Sequence, residues 1–211
     1  YGKEHPAAEY LMNWQVYTVD IVVPVYNALE DLKLCLQSIE RNPDGFRVKI
    51  YIVNDASDHE TTEYLRAFCA KREEFVLIEH ETNMMYTRTV NDGLRATTAD
   101  YVVILNSDTI VTKGLLASLV SCMLSDLRIG VVGPLSNAAS YQNIPDLLDD
   151  TKHFAVNTIP NGMTPDEMAE HVRQVSHQDY PKVPFVNGFC FMISRQVISK
   201  VGYLDEETFP T

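Results

Sequence analysis

No cluster of Lys or Arg appears anywhere in this sequence. Its 17 basic residues are outnumbered by 29 acidic ones, giving a formal net charge of −12. Nucleic-acid binding through phosphate neutralisation is excluded by that balance. No apolar run reaches the 18 residues of a membrane-spanning helix, and no secretory signal pattern opens the sequence. Cysteine is scarce. Cys35, Cys69, Cys122 and Cys190 form no CxxC and no Cys/His metal spacing. They read as reduced core thiols, which points to a cytoplasmic protein. Glycine is missing where nucleotide fingerprints need it. The turn PVYNALEDL after the first apolar run has none, so GxGxxG and GxxxxGK[ST] cannot be placed there. That argues against a dehydrogenase, a P-loop NTPase and a sugar nucleotidyltransferase. HExxH and GxSxG are absent too, and with them a zincin or a hydrolase elbow.

What is present is an alternation. The 211 residues suit one domain with an excursion. Apolar, β-branched runs at 20–25, 48–53, 75–78 and 101–105 read as buried strands. Helical spacing follows each of them: Leu29, Leu32, Leu36 and Ile39; 58 to about 71; 87–96; and Leu115, Leu119 and Met123. Caps are expected from Asn27, Ser57 and Thr112. A short fifth strand is expected at 130–133. Strand, helix, strand, helix implies an α/β fold with a mostly parallel sheet covered by helices on both faces. From 135 to 184 the pattern loosens into an Asn-, Asp- and Pro-rich excursion. Thr164-Pro165-Asp166-Glu167 starts its one helix, 166–175. Regular structure returns at 189–193, followed by a Ser194 cap and a helix through 201. Residues 1–17 begin without Met and read as a linker or N-terminal extension in a longer protein.

Ligands of such sheets sit beyond the carboxyl ends of the strands. Three polar clusters fall there: Tyr26-Asn27, Asn54-Asp55 and Asn106-Ser107-Asp108. Each has a plainer alternative. Asp55 can be a turn residue, Asn106 favours turns by itself, Tyr26 can be a packing aromatic, and Arg88 a solvated helix residue. The six His residues show no ligand spacing and read as surface or cap positions.

The segments DIVVPVYNALEDLKLCLQSI, YIVNDASDHET, ETNMMYTRTVNDGL, ADYVVILNSDT and VNGFCFMISRQVISKVGYLDEETF, in that order, resemble a family 2 inverting glycosyltransferase of GT-A fold over residues 18–211. The resemblance implies a nucleotide-binding part (18–134), the excursion (135–184) and an acceptor-side part (185–211). It implies a nucleotide-diphosphate sugar donor, UDP- or dTDP-linked, a glycan or polysaccharide acceptor, and Mg²⁺ or Mn²⁺. Pro24, Tyr26, Asn27, Asp55, Asn83, Arg88, Asn106 and Ser107 fall at donor-side positions. Asp55 matches the carboxylate that reads the base, and Asp108 the metal ligand. Gly188 matches a small acceptor-side residue. Asn106 stands where the family's DXD pattern has its first Asp, and Met85 where the family has glycine. The general base matches nothing here and is expected beyond Thr211, because Asp205, Glu206 and Glu207 align with an upstream acidic element. Further domains, and membrane association through them at the cytoplasmic face, are consistent with this. The competing class is a non-catalytic donor-binding or scaffolding domain of a multidomain synthase.

Overall fold

The computed structural model describes residues 16–160 and 162–209. Most of the expected linker, and Pro210 and Thr211, lie outside them. A six-stranded sheet organises the chain. Its strands are β1 (Val19–Val25), β2 (Val48–Asn54), β3 (Phe75–Glu79), β4 (Tyr101–Leu105), β5 (Val131–Val132) and β6 (Cys190–Ser194), in the order β3-β2-β1-β4-β6-β5. β1 to β4 are parallel, and β6 runs antiparallel to both β4 and β5. The helices are α1 (Leu29–Arg41), α2 (His59–Cys69), α3 (Tyr86–Ala96), α4 (Leu115–Ser125), α5 (Pro165–Val175) and α6 (Arg195–Val201).

β1 is buried along its whole length, as a central parallel strand must be. Its alternation divides the interior. Val19, Ile21, Val23 and Val25 join Leu32, Leu36, Leu65, Phe68, Leu116 and Leu119 of α1, α2 and α4 on one face. Val22 joins Val90 and Leu94 of α3 and Ile198 of α6 on the other. Leu32, Leu36 and Leu65 are fully buried, worth about 1.5–3 kcal/mol each by transfer from water. α3 lies close because Gly93 lets it: a Cβ there would meet Val22 Cγ1 at 2.3 Å.

Two polar side chains fasten the far ends of these elements. Asp20, buried on β1, accepts from the amides of Thr98 and Ala99 at 2.9 and 3.1 Å, pinning the turn into β4. Asp44 accepts from Gly114 N, Leu116 N and Ala117 N at 2.8, 2.9 and 3.3 Å, and so caps α4 from the α1–β2 turn. This replaces the expected Thr112 cap. The residue before α4 is Gly114, at φ 89°, with no side chain to offer.

Among its described residues the excursion has only isolated bridges and a single-turn 3₁₀ element, Ser140–Gln142, before α5. Side-chain amides hold it instead. Gln142 Nε2 donates to Pro134 O at 2.6 Å, and Asn143 Nδ2 to Ala155 O at 2.6 Å. Tyr141 sits edge-on to Phe154 and Phe185. The capping box at Thr164 and Glu167 forms as expected, with Pro165 in the first turn, yet α5 buries none of its residues. At the other end of the described chain, the Tyr17 ring packs at a tilt against Tyr101 with centroids 5.6 Å apart. No helix among the described residues is long and apolar enough to cross a membrane.

Candidate donor site at the strand tips

Register brings the polar clusters together. Val25 is opposite Asn54 on β2, and Asn54 is opposite Glu79 on β3. The residues that follow these strand ends, Tyr26, Asp55 and His80, therefore emerge side by side. The β1–β4 ladder ends at Val22 opposite Ile104. Pro24, which has no amide to give, comes two residues past that point, where no β4 partner is asked of it.

Asp55 is 4 % exposed. Its amide donates to Val25 O at 2.8 Å. Its Oδ1 accepts from Met84 N at 2.7 Å and lies 2.8 Å from His80 Nδ1. No hydrogen bond from the described residues reaches Oδ2. A carboxylate held this way is an anchored acceptor with one open oxygen.

The turns around it are tied to each other. Asn27 N donates to Ser57 Oγ at 2.9 Å, and Asn27 Oδ1 accepts from Asp58 N at 2.8 Å. Asn27, Ala28 and Ala56 all have φ between 55 and 60°. Asn27 and Ser57 thus suture two loops and cap nothing. Ala28 precedes α1 without a side-chain cap, and Asp58 caps α2 by accepting from Thr61 N at 2.8 Å. That bond holds the Asp58 carboxyl below its usual range. Ser57 is kept from its expected cap because its hydroxyl is already spent on Asn27. Tyr26 is 57 % exposed, a free aromatic face beside Asp55 in the strand order.

The segment before α3 closes the site. Asn83 Oδ1 accepts from Met85 N at 3.0 Å. Met85 adopts φ 68° and ψ 162°, a region open essentially to glycine. A methionine thus stands in a backbone conformation that suits glycine. Arg88 is exposed and makes no hydrogen bond or ion pair among the described residues, so its guanidinium is available to an anion. The Tyr86 hydroxyl lies 3.2 Å from Asn106 Oδ1 and 3.2 Å from Gly188 O, and its single proton serves one at a time. Tyr86 as a residue is 36 % exposed, while loss of water around its hydroxyl pushes that group up to about 12. Gly188 meets nothing within 4 Å where a Cβ would stand, so its role here is its carbonyl and not close packing.

The tip of β4 is different. Asn106 N donates to Phe189 O at 2.8 Å, and the Cys35 thiol to Asn106 O at 3.7 Å. Asn106 and Ser107 are half-buried and Asp108 is exposed. No hydrogen bond from the described residues reaches the Asp108 carboxylate. Among those residues no group of three or more His, Cys, Asp or Glu side chains converges on a metal position. Asp108 therefore fits a hard divalent cation only as one protein ligand, with phosphate oxygens and water completing the shell. An apolar cleft of about 300 Å³, lined by Phe46, Val48, Phe75 and Leu116, holds none of the tip residues. The polar clusters lie instead at the open strand ends.

The acidic residues near the end of the chain are in use. Glu206 Oε1 accepts from Asn91 Nδ2 and Arg95 at 2.8 and 2.7 Å, which holds its carboxyl low. Asp205 Oδ1 accepts from the amides of Glu207 and Thr208. All four cysteines are free thiols, and burial pushes Cys35 and Cys190 up to about 12, so neither is a nucleophile.

Sequence reading missed His80, Tyr86 and Asp92. His80 was placed with surface or cap residues, yet its ring is 11 % exposed between two carboxylates. The signal was available in the strand ends. In a parallel pair, the residues just past two aligned termini are neighbours.

The family profile Glycosyl transferase family 2 matches residues 20–202. The chain belongs to that family. It is 23 % identical over 210 residues to a putative cellulose synthase of Komagataeibacter xylinus, covering 98 % of this chain and 13 % of the relative. To the chondroitin synthase of Pasteurella multocida it is 21 % identical over 203 residues, covering 90 % and 21 %. The chain thus spans a small part of the relatives it matches. A mannosyltransferase of Pyrobaculum calidifontis, solved with GDP-Man and Mn2+, shares the fold with a TM-score of 0.63 at 19 % identity, over 95 % of this chain and 53 % of that one. The family 2 match and this shared architecture bear out the GT-A reading of the sheet.

Proposed function

We propose that this family 2 domain binds a nucleotide-diphosphate sugar across the tips of β1, β2 and β4 and transfers the sugar, with inversion, to a glycan or polysaccharide acceptor. The observation that carries the reading is the pair of open carboxylate oxygens at two strand ends: Oδ2 of buried Asp55 and the free carboxylate of exposed Asp108. Asp55 can accept from an imide N–H of uracil or thymine, against which Tyr26 can stack. Asn83 and Arg88 flank the path of the diphosphate. Asn106 and Ser107 line the β4 turn beside the sugar, with Asn27 and Pro24 shaping the β1 side.

Charge supports a cation at Asp108. Two unit charges about 4 Å apart repel by roughly 4 kcal/mol at an effective dielectric near 20. A diphosphate entering a site with carboxylates on a chain of net charge −12 needs that sign reversed. Mg²⁺ or Mn²⁺ bound there would neutralise the departing diphosphate. In the transfer, the acceptor oxygen bonds to the anomeric carbon as the bond to the diphosphate breaks, and a base takes the hydroxyl proton. Neither Asp205 nor Glu206 is assigned that task, because both are committed to structural bonds. The sugar transferred is of hexosyl or rhamnosyl type.

One observation favours the second reading, a donor-binding domain without turnover. Asn106 stands in place of a carboxylate and its side chain is engaged by Tyr86. Calorimetric titration with UDP, dTDP, GDP and CMP, each with and without Mn²⁺, tests both readings. Metal-dependent binding of UDP or dTDP is expected. Binding without hydrolysis or transfer from the matching donor would favour the second reading, and no nucleotide binding would overturn both.

A further inference from the structure

His80 joins two carboxylates that neighbouring elements bring to it. Its Nδ1 is 2.8 Å from Asp55 Oδ1 and its Nε2 is 3.1 Å from Asp92 Oδ2. Asp92 is in turn held by Arg95, whose NH1 lies 2.6 Å from Oδ1. The ring is 11 % exposed and the Asp55 side chain 5 %. Backbone geometry fixes the start of this chain of contacts: His80 N donates to Asn54 O at 2.9 Å, immediately before Asp55. α3 supplies the other end, one helix turn apart at Asp92 and Arg95.

A carboxylate on a strand tip rotates about its last bond unless something holds one oxygen. Here the Met84 amide and the His80 ring both engage Oδ1, while Oδ2 has no protein donor among the described residues. With a proton on each nitrogen the ring donates to Asp55 and Asp92 alike and is held at both edges. We infer that His80 is a positioning residue for base selection: anchored to α3 through Asp92 and Arg95, it fixes Asp55 so that Oδ2 alone is presented to the ring N–H of a uracil-type base. The inference rests on the donor-site reading of Asp55. It adds that selectivity for a base with a ring N–H over cytosine, which has a lone pair at the same place, depends on a residue that does not touch the ligand.

Two substitutions separate the nitrogens of the ring. His80→Asn keeps an N–H where Nδ1 stands and drops the reach to Asp92. His80→Gln keeps an N–H near Nε2 and drops the bond to Asp55. Binding of UDP and of CDP, both with Mn²⁺, is measured by calorimetry on wild type and each variant, with folding checked by thermal unfolding. Wild type is expected to prefer UDP, and His80→Asn to keep most of that preference. His80→Gln is expected to lose about tenfold in UDP affinity, as for one charge-assisted hydrogen bond, with little change for CDP. Equal UDP:CDP ratios in wild type and both variants would overturn the inference while leaving the donor site standing. So would equal losses for UDP and CDP, which mark a merely structural residue. Absence of UDP binding to wild type would overturn the donor reading and this inference together.

Discussion

Two carboxylates, Asp55 and Asp108, end neighbouring parts of one sheet and are treated in opposite ways. Asp55 is buried, accepts from the Met84 amide and is braced by His80. Asp108 is exposed and has no donor among the described residues. Under the proposed function the difference follows from what each would meet. Reading a base requires an acceptor fixed in direction before the ligand arrives, so its orientation is set by protein bonds. Meeting a cation that arrives with a diphosphate requires a carboxylate still free to adjust and still hydrated. A rigid, desolvated Asp108 would cost charge burial without a partner.

Breaking the buried side should have the largest effect. Asp55→Ala leaves His80 and the Met84 amide without their acceptor in a dry environment and is expected to cost about 2–4 kcal/mol of stability, read by urea unfolding. It should also abolish UDP binding. Tyr86→Phe removes the link between the β4 tip and the strand that follows Gly188. It is expected to lose about 1 kcal/mol and to loosen Asn106, seen as faster amide exchange at 106–108. Met85→Gly acts in the other direction. Relief of a backbone that only glycine adopts freely, about 1–3 kcal/mol, outweighs the added freedom of the unfolded chain, so a gain of roughly 1 kcal/mol in stability is expected, read as a higher urea midpoint. The smallest effect belongs to the open side: Asp108→Ala should change stability by less than about 0.5 kcal/mol. Yet it should remove the Mn²⁺ dependence of nucleotide binding. Equal stability losses at Asp55 and Asp108 would erase the contrast.

Much of the fold was legible because apolar period and polar punctuation agreed. Tyr101–Leu105 was placed to the residue, and the Thr164 and Ser194 caps were found where the sequence put them. The misplaced caps share one cause. Ser57, Asn27 and Thr112 all have the right chemistry for a local cap, but tertiary partners compete: Asn27 and Ser57 bond to each other's loops, and Asp44 reaches α4 first. Local pattern cannot register a hydrogen-bond partner that arrives from about thirty or seventy positions away. The candidate site divides in the same way. Asp55 and Asp108 were visible as polar residues interrupting apolar runs. His80, Tyr86 and Asp92 were not, because their meaning lies in strand register and in one helix face, which single positions do not reveal.

The Asp44 cap has a consequence for the order in which this molecule assembles. α4 is preceded by a glycine and carries no acidic residue in its first turn. Among the described residues, its amides at 114, 116 and 117 are satisfied by a carboxylate in the α1–β2 turn. On its own this segment has little to nucleate it. The helix should therefore form late, after α1 and β2 have docked. Protection of those three amides from hydrogen exchange would then follow opening of the α1–β2 turn, not fraying of the helix end itself.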